Sequence, residues 1–114
     1  MAQRDIQLRH VWGCHPLWDM AGEHDIDPVK LDLPRSLVER LDAWAARWDE
    51  TFDLNQPGQR KVEQFVIHDL GHEGARLWRA LLGLLDPQHL TITYLHEGVT
   101  YHTVEELPLD WRFG

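Results

Sequence analysis

The chain has 114 residues, a formal net charge of −8 and 43% hydrophobic residues, a composition typical of one globular domain and not of a disordered segment. Cys14 is the only cysteine, so an intramolecular disulfide cannot form. The sequence contains no run of about 20 apolar residues that could span a membrane. We therefore expect a single domain over residues 1–114, located in the cytoplasm.

The negative charge is concentrated between residues 19 and 53, where ten acids stand against four bases. Such a surface repels the phosphates of nucleic acids and anionic lipids, whereas it attracts basic proteins and speeds their association. We therefore expect a protein partner with a basic surface, and neither nucleic acid nor a membrane. The alternative is that the acids only keep a small protein in solution.

The predicted elements begin with a short strand between Ile6 and Trp12, where apolar residues partly alternate. The stretch from Trp18 to Pro34 contains Gly22, Pro28 and five acids, and it shows neither a helical nor a strand period. It therefore predicts a long, ordered surface loop, and long loops in compact domains often carry function.

A first helix is predicted from Ser36, which forms a capping-box pattern with Glu39, to about Asp53. Its apolar residues follow spacings of three and four along one face. They are Leu37, Val38, Leu41, Trp44, Ala45, Trp48 and Phe52.

A second helical region runs from about Lys61 to Leu85, with Gly71 and Gly74 in its interior. Glycine in a helix interior costs about 1 kcal/mol relative to alanine, so a bend near Gly71 that divides the region into two helices is a second interpretation.

The run from Leu90 to Val104 predicts a β-hairpin, in which Gly98 supplies the positive φ of a tight turn. Together the elements predict an α+β fold with two or three helices packed on a small antiparallel sheet of two to three strands, which the N-terminal strand could join.

Candidate catalytic groups are sparse. His68 and His72 are four residues apart on a predicted helix and are weak candidates for metal ligands, because HDLGH lacks the glutamate of the HExxH motif and a third ligand is missing. The common nucleotide, hydrolase and redox motifs are absent from the sequence. We therefore expect no enzymatic activity, no cofactor and no bound metal.

The candidate partner-binding residues lie in and near the acidic stretch. Tryptophan is enriched at binding hot spots, and Trp18 stands among carboxylates that would suit a basic partner. The predicted contact residues are Trp18, Asp19, Glu23, Asp25, Asp27, Asp49 and Glu50.

Residues 14–53 resemble a group of small bacterial proteins, some of which are similar to immunity proteins of polymorphic toxin systems. The resemblance rests on four elements of their shared pattern. These are Pro16-Leu17-Trp18, Ile26-Asp27-Pro28, the segment Leu33 to Ser36, and a helix core with Leu41, Trp44, Trp48 and Asp49. After Asp53 the chain departs from the pattern, so the identity of a partner does not carry over.

The resemblance implies an immunity protein that binds a cognate toxin, and the acidic surface leads us to expect that it occludes the toxin's basic active-site cleft. Inhibition away from the active site is a variant of this interpretation. Two other classes stay open: a small metal-binding or enzymatic domain that uses His68 and His72, and a structural protein that self-associates, for example as a weak homodimer.

Overall fold

The computed structural model describes residues 4–51, 62–85 and 90–113. In chain order the strands of these segments are β1 (Arg4–Leu8), β2 (Leu17–Asp19), β3 (His24–Ile26), β4 (Leu90–His96) and β5 (Val99–Tyr101). The α-helices are α1 (Arg35–Asp49) and α2 (Gln64–Leu84). Three short 3-10 helices lie at Pro28–Leu31, Val104–Glu106 and Leu109–Trp111.

The five strands form one mixed sheet in the order β3-β2-β1-β4-β5. β1 runs parallel to β4, with Ile6 opposite Ile92 and Leu8 opposite Tyr94, and the other neighbours are antiparallel. The α+β class with two helices and the C-terminal hairpin are confirmed. The predicted sheet of two to three antiparallel strands is wrong, because β2 and β3 extend it and the N-terminal strand joins the hairpin in parallel.

The predicted loop between Trp18 and Pro34 contains the end of β2, the whole of β3 and a 3-10 helix. Each strand has only three residues, too few to show a period of two in the sequence. Their pairing depends on partners distant along the chain: Leu17 lies opposite Leu8 on one side and Ile26 on the other. All three side chains are buried, which fixes the register of this edge of the sheet.

Helices α1 and α2 pack on the face of the sheet that carries Ile92 and Tyr94. Two hydrogen bonds join α2 to β4: the Trp78 indole N–H donates to the Ile92 carbonyl at 3.0 Å, and the Tyr94 hydroxyl donates to the Gly71 carbonyl at 2.8 Å. Trp44 links the two helices by donating to the Leu70 carbonyl at 2.8 Å. Trp44, Trp78 and Tyr94 are therefore buried with their polar groups satisfied.

The predicted apolar face of α1 is confirmed from Leu37 to Trp48, while Phe52 and Asp53 lie outside the described residues. The predicted start at a Ser36 capping box is wrong. The Pro34 carbonyl accepts bonds from the backbone N–H groups of Leu37 and Val38, so the helix begins one residue earlier, at Arg35, and its N-cap has no side-chain bond. A capping box of the same type occurs instead at Thr103 and Glu106.

α2 is continuous from Gln64 to Leu84, which excludes the two-helix interpretation of this region. Two of its glycines, Gly71 and Gly74, allow close packing. A Cβ at Gly71 would lie 2.5 Å from Trp111 and 2.6 Å from His96, and one at Gly74 would overlap Tyr94. Among the described segments, neither helix is both long and apolar enough to cross a lipid bilayer.

Candidate functional site

Three carboxylates meet in a cleft of about 300 Å³ between the segment 13–16 and helix α1, which we call the acidic cleft. Asp42 and Asp49 come from α1 and Asp25 from β3. Asp42 and Asp49 lie two helical turns apart on one side of α1, with the small residues Ala45 and Ala46 between them, which leaves room for the cleft. The cleft therefore concentrates negative charge in a concave surface.

Two of these carboxylates hold the opposite wall of the acidic cleft in place. The backbone N–H of His15 donates to Asp25 Oδ2 at 2.8 Å, and that of Gly13 donates to Asp49 Oδ1 at 3.4 Å. Gly13 adopts φ 76°, a left-handed conformation that glycine accommodates without strain. Asp25 and Asp49 thus have a structural role as well as charge.

Asp49 also connects the acidic cleft to an aromatic cluster. Its Oδ1 accepts a hydrogen bond from His10 Nε2 at 2.7 Å, and the His10 ring stacks on Trp48 with centroids 5.6 Å apart. His10 follows β1, so this bond ties the end of α1 to the sheet. A change at Asp49 will therefore affect both the charge of the cleft and the packing beside it.

Trp18 lies in β2 and not in a loop, which corrects its predicted setting. Its cross-strand neighbours are Gln7 and Asp25, so it shares a sheet face with a member of the acidic cleft. The Arg9 guanidinium lies 5.4 Å from the centroid of the Trp18 ring, within the range of a cation–π contact. The indole is thus half-covered by the chain's own side chains.

Besides Trp18, four of the predicted contact residues lie outside the acidic cleft. Asp19 accepts backbone bonds from Ala21 and Gly22; the bond from Gly22 is the main cause that lowers its pKa, while burial opposes the shift. Asp27 caps the 3-10 helix through Val29 N. Glu23 is exposed in the β2–β3 turn with φ 55°, and Glu50 is exposed at the C-cap of α1.

The structure brings together Trp18, Asp25 and Asp49 from the predicted set. It adds Asp42 and His10, which sequence reasoning missed. For Asp42 a signal existed, because a spacing of seven from Asp49 places both acids on one side of a helix. For His10 no local pattern indicated contact with a residue 39 positions away.

His68 and His72 face the C-terminal segment. The Trp111 indole N–H donates to His68 Nε2, with the two nitrogens 3.3 Å apart. The His72 ring stacks on the Trp111 ring with centroids 6.3 Å apart. His68 Nε2 also lies 3.5 Å from Asp110 Oδ2. No group of three or more His, Cys, Asp or Glu side chains within residues 4–51, 62–85 and 90–113 is placed to hold a metal ion.

Residues 4–97 match a family model described as Serratia CdiI immunity protein-like. A search of curated proteins found no match. The matched region includes the acidic cleft and Trp18, together with both helices.

Proposed function

This chain belongs to the Serratia CdiI immunity protein-like family, and from that membership we propose that it binds a cognate protein toxin in the cytoplasm and neutralises it by occluding a basic active-site cleft. Inhibition of this kind is stoichiometric and requires no catalysis, cofactor or metal. Family membership is the observation that carries the proposal.

The acidic cleft and the sheet face beside it are the proposed contact surface. The three carboxylates of the cleft would attract a basic toxin surface and raise the association rate. Trp18 lies next to Asp25 on the sheet and would supply the apolar contact of the same surface. A toxin that acts on nucleic acid would present the matching positive cleft.

The placement of Asp49 and Glu50 supports a role for these two carboxylates in binding and not only in the stability of the fold. Both stand at the C-terminal end of α1, where the helix dipole disfavours negative charge by about 0.3–1 kcal/mol for each group. His10 offsets this effect for Asp49 through its hydrogen bond. Glu50 is exposed to solvent, so its charge is available to a partner.

The test is to express the chain together with the product of the adjacent gene, and to measure growth and copurification. The expected result is rescue of growth with a stable equimolar complex. Absence of both would contradict the proposal, and elemental analysis of the purified chain for an ion at His68 and His72 would then test the metal-binding alternative.

The inhibition geometry is tested separately, by kinetics of the isolated toxin. If the chain occludes the active site, a rising substrate concentration should weaken inhibition competitively. Inhibition that is independent of substrate concentration would place the contact elsewhere on the toxin, while immunity itself would stand.

A further inference from the structure

Trp12 is exposed in a protein that buries most of its tryptophans. Of the six tryptophans in the chain, four are at most 4% exposed: Trp44, Trp48, Trp78 and Trp111. Trp12 is 57% exposed, and it lies in the loop between β1 and β2, because β1 ends at Leu8 and not near Trp12 as the sequence predicted. An indole in solvent buries little apolar area, so the stability of the fold does not explain a tryptophan at this position.

The turn that carries Trp12 has a defined backbone. The backbone N–H of Cys14 donates to the Val11 carbonyl at 3.0 Å, which places Trp12 and Gly13 at the two central positions of a β-turn. Gly13 adopts φ 76°, the conformation that a type II turn requires at its second central position and that favours glycine there. Trp12 therefore occupies the tip of an ordered type II turn.

Two carboxylates hold this turn against the body of the protein. Asp49 accepts a bond from the backbone N–H of Gly13 at 3.4 Å, and Asp25 accepts one from the backbone N–H of His15 at 2.8 Å. The two acids come from α1 and β3, so the turn is fixed from two elements that are distant along the chain. A large aromatic side chain on a preformed turn loses little conformational freedom on binding. The turn is thus preorganised to present Trp12 to a partner.

The charge beside Trp12 indicates which kind of partner fits. Gly13, the next residue along the turn, lines the acidic cleft together with Asp25, Asp42 and Asp49. An exposed aromatic residue beside negative charge complements a surface that is apolar at its centre and basic at its rim. A second copy of this chain carries the same net charge of −8 and would be repelled. The surface therefore suits a basic protein.

We propose that Trp12 is an anchor of the toxin interface, and that its indole inserts into an apolar recess of the cognate toxin bordered by lysine or arginine. Tryptophan is among the residues most enriched at the energetic centres of protein interfaces. Trp18 is less suited to this role, because the Arg9 guanidinium lies over its ring. The inference rests on the proposed function and deepens it, since it identifies the side chain on which toxin affinity depends.

The first experiment measures whether the toxin covers Trp12. The chain is labelled with fluorotryptophan, and the fluorine resonance of Trp12 is assigned by its loss in Trp12→Phe. In the free chain this resonance should move between light and heavy water because the indole is exposed, whereas that of the buried Trp78 should not. Addition of the toxin, the product of the adjacent gene, should abolish the solvent-induced shift. A Trp12 that keeps its full shift in the complex would overturn the proposal.

The second experiment measures affinity. Trp12→Ala should weaken toxin affinity by at least about thirtyfold, as expected for a residue at the energetic centre of an interface. The melting temperature of the free chain should change by no more than about 4 °C, because the side chain is exposed. The matched control is Phe65→Ala, which removes a 67% exposed aromatic ring from α2 and should keep wild-type affinity. Unchanged affinity in Trp12→Ala, or an equal loss in Phe65→Ala, would overturn the inference and leave the immunity function intact.

Substitutions at Gly13 test whether the turn presents Trp12 in its bound conformation. A Cβ at Gly13 meets no atom within 4 Å, so an effect on affinity arises from the positive φ and not from a clash. Valine disfavours this conformation and asparagine tolerates it, so Gly13→Val should bind the toxin about tenfold more weakly than Gly13→Asn. Equal affinities would contradict the presentation of Trp12 by this turn. Absence of a complex with the wild-type chain would instead contradict the proposed function, and this inference with it.

Discussion

Asp49 Oδ1 accepts a hydrogen bond from His10 Nε2 at 2.7 Å across 39 positions of sequence, and it joins the end of α1 to the segment that follows β1. The His10 side chain is 9% exposed and that of Asp49 36%, so the bond lies at the boundary between the core and the acidic cleft. The carboxylate therefore carries both a structural bond and a charge that faces solvent.

Two substitutions at Asp49 separate these contributions. Asp49→Asn keeps an oxygen that accepts from His10, so the free energy of unfolding should change little. Asp49→Ala removes the acceptor and should lower the free energy of unfolding by about 1–2 kcal/mol. Urea denaturation measures both values, and equal stability of the two variants would contradict the structural role of the bond. If the charge contacts the toxin, both variants should weaken toxin binding.

Charge reversal at Glu50 should have opposite effects on stability and on binding. A lysine at the C-terminus of α1 interacts favourably with the helix dipole, so Glu50→Lys should raise the free energy of unfolding by about 0.5 kcal/mol. The same change should slow association with a basic toxin at least tenfold, measured by stopped-flow or surface plasmon resonance at low salt. Asp69→Lys on α2 changes the net charge equally and is the control. Unchanged association for Glu50→Lys would remove Glu50 from the interface.

Alanine substitutions along α2 should have effects of opposite sign. At Gly74 an added Cβ would overlap the Tyr94 hydroxyl and crowd Trp44, so Gly74→Ala should lower the free energy of unfolding by about 1–3 kcal/mol. At Gly83 an added Cβ meets no atom within 4 Å, so Gly83→Ala should raise it by up to about 1 kcal/mol. Thermal denaturation followed by circular dichroism compares the two. A neutral Gly74→Ala would contradict the close packing of α2 on β4.

The pKa of Tyr94 gives the fold a defined sensitivity to alkali. Burial raises the pKa of its hydroxyl well above its usual value of 10.0, and Tyr101 nearby raises it further. Because the folded state holds this proton more tightly than the unfolded state, the stabilisation is complete below pH 10 and is lost as pH rises above it.

The Tyr94→Phe variant tests this sensitivity. It removes the bond to the Gly71 carbonyl and should lower the free energy of unfolding by about 1 kcal/mol at pH 7, while stability should fall less steeply above pH 10. Urea denaturation at a series of alkaline pH values measures both effects. Tyr101 is the only other tyrosine in the chain, so absorbance at 295 nm in the variant reports Tyr101 alone. A Tyr94 that ionises near pH 10 in the folded wild-type chain would contradict its burial.

Periodic elements were predictable because their side chains repeat within a short window. The spacing of three and four from Leu37 to Trp48 and the turn at Gly98 both describe local geometry, and the structure confirms both. β2 and β3 were not predictable, since three residues carry no period and their strand character depends on Leu8. The start of α1 was mispredicted because the Pro34 carbonyl, and not the Ser36 side chain, satisfies the first N–H groups.

The candidate site was predictable only in part, for a related reason. Charge density along the sequence indicated the acidic stretch, but not which carboxylates converge. Asp25 of β3 and Asp49 of α1 converge because both accept bonds from the backbone of the segment 13–16, which depends on the long-range arrangement of the chain. Asp19 and Asp27 instead bond the backbone of their own turns, and local composition does not distinguish these two situations.

Trp18 gives the most direct test of whether the sheet face beside the acidic cleft contacts the toxin. Its indole nitrogen is buried and, among the described residues, has no hydrogen-bond partner, an arrangement that costs stability. Trp18→Phe removes that N–H and keeps a ring beneath Arg9, so the free energy of unfolding should change by less than about 1 kcal/mol. Trp18→Ala removes the ring and uncovers Gln7, which is 6% exposed in the native chain, and should cost about 2–3 kcal/mol.

The two Trp18 variants then make the binding measurement interpretable. If Trp18 contributes an apolar contact to the interface, Trp18→Phe should weaken toxin affinity severalfold while the chain stays folded, because phenylalanine buries less area than tryptophan. Isothermal titration calorimetry with the copurified toxin measures the change, and an Arg9→Gln variant controls for the loss of the cation–π contact. Wild-type affinity in Trp18→Phe, together with the expected stability loss in Trp18→Ala, would assign Trp18 to the fold alone. The interface would then be restricted to the carboxylates of the acidic cleft.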